Sequence, residues 1–111
     1  MNKYDIVDKL NELIEKCVIL RRSVLAWDFI NPDAMIDSED FAPLYDEIYH
    51  FLNVILDADS KYLKYIKTFS RSNVSEWALG EIQSSLMKIK ESISDGFVTI
   101  KMLNMDMATL Y

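Results

Sequence analysis

The chain has 111 residues, half of them hydrophobic, with only two glycines and two prolines. This length fits one domain with its own core, and the scarcity of turn-forming residues favours long helices over a sheet-rich fold. A formal net charge of −6 argues against direct binding of nucleic acid. The single cysteine excludes an internal disulfide.

No segment of the sequence has the pattern of a targeting signal or a membrane span. The first twenty residues contain several acids, among them Asp5, Asp8 and Glu12, where a signal peptide needs an apolar run. No apolar run approaches the roughly 18 residues that cross a bilayer. We therefore expect a soluble, cytoplasmic protein with no membrane partner.

Residues 5–29 predict the helix around which the other elements are organised. Apolar residues recur at alternating steps of four and three, which keeps them on one face of a helix. A second row widens that face, so we expect contact with at least two other helices, as in a bundle. The first row is Ile6, Leu10, Leu13, Cys17, Leu20, Val24 and Trp27, and the second is Val7, Ile14, Val18 and Leu25.

A second helix is predicted to begin near Asp40, which would cap it and place Pro43 at the third helical position, where no intrahelical bond is lost. The apolar period continues beyond residues 57–60, so we favour one long helix to about Phe69. A break with Ser60 as a new cap is the alternative. The predicted buried residues are Phe41, Leu44, Tyr45, Ile48, Leu52, Ile55 and Leu56, followed by Tyr62, Leu63, Ile66 and Phe69.

A third helix is predicted after Asn73, whose spacing to Glu76 matches a capping box with Asn in place of Ser or Thr. This helix should end at Gly96, a left-handed cap. We also expect Met35 and Ile36, in the connection before the second helix, to be tucked against the bundle. The predicted buried residues of the third helix are Trp77, Ala78, Ile82, Leu86, Ile89 and Ile93.

The C-terminal tail, residues 97–111, is ambiguous. Val98, Ile100 and Met102 alternate with polar residues as in a strand, yet a lone strand would leave its backbone groups unpaired. We favour a buried fourth helix over a strand paired across a homodimer or one completed by a partner. The predicted fold is therefore all-α, an antiparallel bundle of three long helices and this tail, with residues 1–111 in one domain.

Catalytic constellations are hard to build from this sequence. His50 is the only histidine, and with Glu47 it matches one Glu-x-x-His element of a di-iron bundle, which needs two such elements and two further glutamates. Helical spacing also points both residues away from the core. Cys17 lies in the core row, as a structural thiol would. We predict no catalytic residues, no metal, no cofactor and no enzymatic activity.

Charge is distributed unevenly along the chain. Between Arg22 and Lys61 there are nine acids and no Lys or Arg, whereas the rest of the chain carries a net charge of +3. Part of the acidic block could face the basic end of the first helix in an antiparallel hairpin. The loop and outer face would still lack a base, which suits a basic protein partner. The predicted contact residues are Asp33, Asp37, Glu39, Asp40, Asp46, Glu47, His50 and Asp57, with Tyr49 and Phe51 at their edge.

Residues 36–52, IDSEDFAPLYDEIYHFL, resemble small acidic bacterial immunity proteins of the colicin D type. There too, a polar stretch of serine and acids followed by phenylalanine leads into an acidic amphipathic helix of a bundle. The resemblance implies a one-to-one inhibitor whose carboxylates cover the basic active site of a nuclease-type toxin. The long first helix and the tail depart from that pattern, so the toxin class is not implied.

These observations predict a non-enzymatic inhibitor, an immunity protein against a toxin of the bacteriocin or contact-dependent kind. Two alternatives stay open. A phage-encoded blocker of a host defence complex, acting as a nucleic-acid mimic, would use the same carboxylates against a nucleic-acid-binding complex. A structural or adaptor bundle would instead place its specificity in the apolar tail. The sequence leaves open the partner's identity and whether the protein is a homodimer.

Overall fold

A computed structural model of the chain describes residues 2–28, 35–72 and 74–95. Within these ranges the predicted helical class is confirmed, whereas the tail and the cap at Gly96 lie outside them. None of the described helices combines the length and apolarity needed to cross a membrane. The helices are α1 (Lys3–Asp28), α2 (Ser38–Ile55), α3 (Lys61–Lys67) and α4 (Glu76–Asp95), and the strands are β1 (Met35–Ile36) and β2 (Val74–Ser75).

Helix α1 begins at Lys3, two residues before the predicted segment, and it buries the first four residues of the predicted row. Its start is closed by a reciprocal pair of hydrogen bonds, because the Asn2 side chain accepts from the Asp5 backbone N–H at 2.9 Å and the Asp5 carboxylate accepts from the Asn2 N–H at 3.3 Å. The first apolar row is fully buried at Ile6, Leu10, Leu13 and Cys17 and partly buried at Leu20. The second row is partly buried at Val7, Ile14 and Val18. The predictions for the side chains of Val24, Leu25 and Trp27 fall outside the part of the chain whose side chains the structure describes.

Helices α1 and α4 pack antiparallel along their length. At one end, Lys3 Nζ donates to the carbonyl of Ser94, 3.2 Å away. At the other, Arg21 donates to the Gln83 side-chain oxygen at 2.9 Å and its guanidinium lies over Gly80. A Cβ at Gly80 would stand 3.2 Å from Arg21 Cζ, so the guanidinium would have to shift by a few tenths of an ångström to admit a larger residue.

Helix α2 starts earlier than predicted. Its N-cap is Asp37, whose carboxylate accepts from the Glu39 backbone N–H at 2.9 Å, so the prediction of a cap at Asp40 is wrong. A carboxylate at residue 37 reaches an orphan N–H of the first turn, which the apolar period does not reveal. Pro43 consequently lies inside the helix, and the Glu39 carbonyl lacks its usual donor there.

The predicted continuous helix to Phe69 is also wrong, and the alternative break at Ser60 is what the structure contains. Leu56 has an extended backbone (ψ 151°), and α3 begins directly after Ser60. The break lets the chain fold back, so that the Tyr45 hydroxyl donates to the Ile66 carbonyl at 3.1 Å. Leu63 and Ile66 are fully buried, as predicted. The apolar period continues across a reversal because both helices face one core.

Strands β1 and β2 form a short antiparallel pair with Met35 opposite Ser75 and Ile36 opposite Val74. Neighbouring residues of a strand point to opposite sides. Ile36 and Val74 are accordingly buried, whereas the Met35 side chain is 54% exposed. The expectation that Met35 and Ile36 are both tucked against the bundle therefore holds for Ile36 only.

Helix α4 is capped by Ser75, whose hydroxyl accepts from the Ala78 N–H at 3.1 Å. The predicted cap, Asn73, lies outside the described residues. Trp77 is 56% exposed, so its predicted burial is wrong. The buried side follows steps of three and four from Leu79, and Trp77 is two residues, about 200°, away from Leu79 around the helix. The predictions of burial are confirmed at Ala78, Ile82, Leu86, Ile89 and Ile93.

Candidate protein-binding surface

An open groove of about 530 Å³ lies between α1 and α2. Each helix contributes four residues at positions i, i+3, i+4 and i+7, which is one side of two helical turns. Lys16, first in its row, pairs with Glu47, last in its row, at 2.9 Å. The two helices are therefore antiparallel, and Ser23 and Asp40 share the opposite end. The lining residues are Lys16, Ile19, Leu20 and Ser23 of α1 and Asp40, Pro43, Leu44 and Glu47 of α2.

The middle of the groove is apolar. Leu44 is buried and Leu20 is partly buried against the core. Ile19 is 57% exposed, and Pro43 is also exposed on the facing helix. A volume of this size lies within the range of pockets that bind ligands or partner side chains. The groove can therefore receive apolar atoms of a bound molecule.

One end of the groove is electrically neutralised by the protein itself. Glu47 accepts hydrogen bonds from Lys9 at 2.8 Å and from Lys16 at 2.9 Å. The bond from Lys9, followed by that from Lys16, holds the pKa of the Glu47 carboxyl below its ordinary value of 4.5. The expectation that no base faces Glu47 is wrong, because α1 supplies bases that are distant in sequence.

Asp46, on the outer face of α2, is likewise paired. Both its oxygens accept from the Arg71 guanidinium, at 2.8 Å from Nε and 2.7 Å from Nη2. This hydrogen bonding holds the pKa of Asp46 below its usual range. Both side chains stay more than half exposed. Here too the expectation of an acidic face without a base is wrong, because the segment after α3 folds back onto α2.

The remaining predicted contact residues keep their exposure. Asp37, Glu39 and Asp40 are exposed at the start of α2, His50 is exposed on its outer side, and Asp57 is exposed beyond its end. Within the described ranges, no ion pair joins any of these carboxylates to a base. Asp33 lies outside those ranges. Among the predicted contact residues, three of the exposed carboxylates that lack an ion pair within these ranges therefore lie at the start of α2, beside the end of the groove that Ser23 and Asp40 share.

The aromatic edge predicted for this surface is only partly present. Phe51 is buried, so its predicted role at the edge is wrong. It lies next to the core residue Leu52 on α2, which packs against both α1 and α3. Tyr49 is partly buried, with its ring stacked on Tyr45 at 6.3 Å and Lys67 Nζ 5.7 Å from its centroid.

Reactive groups contribute little to this surface. Burial raises the pKa of the Cys17 thiol to about 12, which keeps it protonated near neutral pH. In the part of the chain that the structure describes, no three His, Cys, Asp or Glu side chains are placed to share a metal ion.

Sequence reasoning missed the groove between α1 and α2 and the ion pairs of Asp46 and Glu47. Ile19 lies in neither apolar row of α1, and an apolar residue off the core rows was the available signal for the groove. Pro43 was read only as a tolerated helix residue. The partners of Asp46 and Glu47 had no local signal at all, since they come from other elements.

No protein-family model, curated protein or solved structure gives a significant match to this chain. Its function therefore has to be inferred from the chemistry of its own surface.

Replacing Glu47 with glutamine should make stability less dependent on pH in the acidic range. Because the folded-state pKa of Glu47 is lowered, its carboxylate stabilises the fold above the ordinary pKa, and that contribution is lost as pH falls through the folded value. The side chain is a third exposed, so we expect a loss of at most about 1 kcal/mol at pH 7. Urea unfolding at several pH values measures the difference between the two proteins.

This difference should shrink as pH falls below about 4.5 and vanish once Glu47 is protonated in the folded protein. Glu91→Gln, the same change at an exposed position of α4, serves as the control and should stay within about 0.5 kcal/mol of the native protein. A Glu47→Gln difference that grows toward acid would contradict the assigned ion pairs.

Proposed function

We propose that this protein is a non-enzymatic inhibitor that binds a basic protein through the first turn of α2 and the adjoining α1/α2 groove. The proposed partner is the catalytic domain of a nuclease-type bacterial toxin, and the protein would act as its immunity protein. The observation that carries the proposal is the juxtaposition of exposed carboxylates with an open apolar groove at Asp40.

Charge and apolar area at that place serve different purposes in binding. Exposed carboxylates steer a basic partner and fix its orientation, whereas affinity comes from apolar side chains buried at the centre of the interface. A lysine or arginine of the partner would place its aliphatic stem over Pro43 and Leu44 and its charge near Asp40. The opposite end of the groove, neutralised by Lys9 and Lys16, offers no comparable attraction.

The internal ion pairs narrow the predicted contact set. Asp46 and Glu47 already have cationic partners, so a toxin would have to compete with Arg71 and two lysines for them. Asp37, Glu39 and Asp40 need no such exchange. We therefore place the centre of the interface at the first turn of α2, with His50 and Asp57 toward its periphery.

The resemblance of residues 36–52 to immunity proteins of the colicin D type supports the same assignment. This segment includes the buried strand residue Ile36, the Asp37 cap and most of α2. The acids that carry the resemblance are the ones exposed beside the groove.

The test is inhibition of purified nuclease domains taken from bacteriocin and contact-dependent toxins. We expect one of them to be inhibited at a one-to-one ratio and the inhibition to weaken roughly tenfold or more with Asp40→Lys or Glu39→Lys. Glu91→Lys reverses an exposed charge on α4 and is the control, with no change expected. Circular dichroism of each variant verifies that the fold is kept.

Two results would contradict the proposal. One is the absence of inhibition across the toxin panel. The other is inhibition that Asp40→Lys and Glu39→Lys leave at the native level, since contact would then lie elsewhere on the molecule.

A further inference from the structure

Trp77 is exposed, whereas its neighbours Glu76 and Ala78 are buried. More than half of this large apolar side chain is open to solvent at the start of α4. Tryptophan is among the residues that most often dominate the binding energy of protein interfaces. The adjacent Glu76 is buried and bound to Arg21 at 2.7 Å, so the first turn of α4 is tied to α1.

Pairing of the two short strands brings Met35 close to this tryptophan. Met35 lies opposite Ser75, and Trp77 follows Ser75 by two residues. Paired Cα atoms are about 5 Å apart and two residues span at most about 7 Å, so the Cα atoms of Met35 and Trp77 lie within about 12 Å. Two exposed apolar side chains, one aromatic and one flexible, therefore occupy the same end of the bundle.

The same end carries the acids of the proposed interface. Asp37 follows Met35 by two residues, and Glu39 and Asp40 come next in the first turn of α2. Exposed apolar side chains bordered by carboxylates are complementary to apolar side chains set among lysines and arginines. The acidic border therefore indicates a basic binding partner. An apolar patch without charged borders would not indicate the charge of its partner.

We propose that Trp77 and Met35 are the apolar anchor of the partner interface and that the partner contributes a basic amphipathic element, with apolar side chains between lysines or arginines. This inference rests on the proposed function and extends its surface from α2 to α4. The acids steer the basic element to this end of the bundle. Trp77 and Met35 then hold it by burying their exposed surface.

The experiment uses the full-length protein and a synthetic helical peptide with leucines on one face and lysines on the other. A peptide with the same residues in scrambled order and an all-lysine peptide are the comparisons. Nuclear magnetic resonance follows the Trp77 indole signal, assigned with Trp77→Phe. We expect a saturable shift with the amphipathic peptide and roughly fivefold or more weaker binding for Trp77→Ala and Met35→Ala.

Tyr4→Ala is the matched control, because Tyr4 is 78% exposed and lies in α1 at the end that contacts Ser94, opposite Trp77. It should leave peptide affinity unchanged. Binding weakened by Asp40→Lys but not by Trp77→Ala or Met35→Ala would overturn the anchor and leave the proposed function standing. Equal binding of the all-lysine or scrambled peptide would also overturn the anchor. If no peptide binds saturably, or if Asp40→Lys, Trp77→Ala and Met35→Ala all leave binding unchanged, both the anchor and the proposed function are contradicted.

Discussion

Phe41→Ala is expected to destabilise the protein by about 3–5 kcal/mol, a large share of the 5–15 kcal/mol that typically separates folded from unfolded domains. Phe41 is fully buried in the first turns of α2, with its ring 5.6 Å from that of Tyr45. Truncation removes the buried ring and leaves a cavity that a packed bundle fills only in part. The same turns carry Glu39 and Asp40, so binding to the proposed partner should weaken together with stability.

Urea unfolding followed by circular dichroism measures this loss. The midpoint should fall while the slope with denaturant stays constant. Phe69→Ala is the matched control, because Phe69 is only partly buried, at the edge of the core near Tyr65. We expect it to cost less than half as much. Equal losses for the two variants would show that Phe41 is not at the centre of the core.

Arg21→Met is expected to cost about 3–5 kcal/mol, more than the converse substitution Glu76→Leu. Arg21 Nε and Nη2 both bind Glu76, at 2.7 Å, and the glutamate side chain is only 9% exposed. Removing the arginine leaves a buried carboxylate without its cation. Removing the glutamate leaves a guanidinium that is 31% exposed and still bound to Gln83, so we expect a loss of about 1–3 kcal/mol.

The double variant Arg21→Met/Glu76→Leu separates the pair from its surroundings. Because two apolar side chains of similar size replace two charges, its stability should return to within about 1 kcal/mol of the native protein. Urea unfolding of the native protein, both single variants and the double variant gives the coupling energy. A double variant as unstable as the sum of the single losses would contradict the assigned pair.

The core was predictable from the sequence because burial on a helix repeats with a local period. Ile6, Leu10 and Leu13 in α1, and Ile82 and Leu86 in α4, lie where their spacing placed them. The period predicts the buried side of a helix, but it does not show whether the chain reverses direction between two helical segments. For that reason, the apolar period did not predict the break between α2 and α3.

Side chains at the ends of elements were harder to place. Trp77 was predicted to be buried, yet it lies about 200° from Leu79 around the helix. Met35 and Ile36 looked alike in composition, and only pairing with β2 separates them. Such differences arise from contacts between segments that are distant in the chain.

The charged surface was predictable in its location but not in its pairing. The acids at the start of α2 are exposed as expected. The bases that neutralise Asp46 and Glu47 come from the segment after α3 and from α1, beyond the reach of a pattern along one helix. The fold thus pairs Asp46 and Glu47 with bases, and among the residues that the structure describes the unpaired acids of α2 are those in its first turn.

The most direct measurement is the affinity of the protein for the proposed toxin partner as salt is raised from about 0.05 to 0.5 M, where the screening length falls severalfold. For the native protein we predict that the dissociation constant rises roughly tenfold or more, and that Asp40→Lys binds more weakly with a smaller salt dependence. An affinity that neither salt nor Asp40→Lys changes would show that the acidic first turn of α2 is not the binding surface.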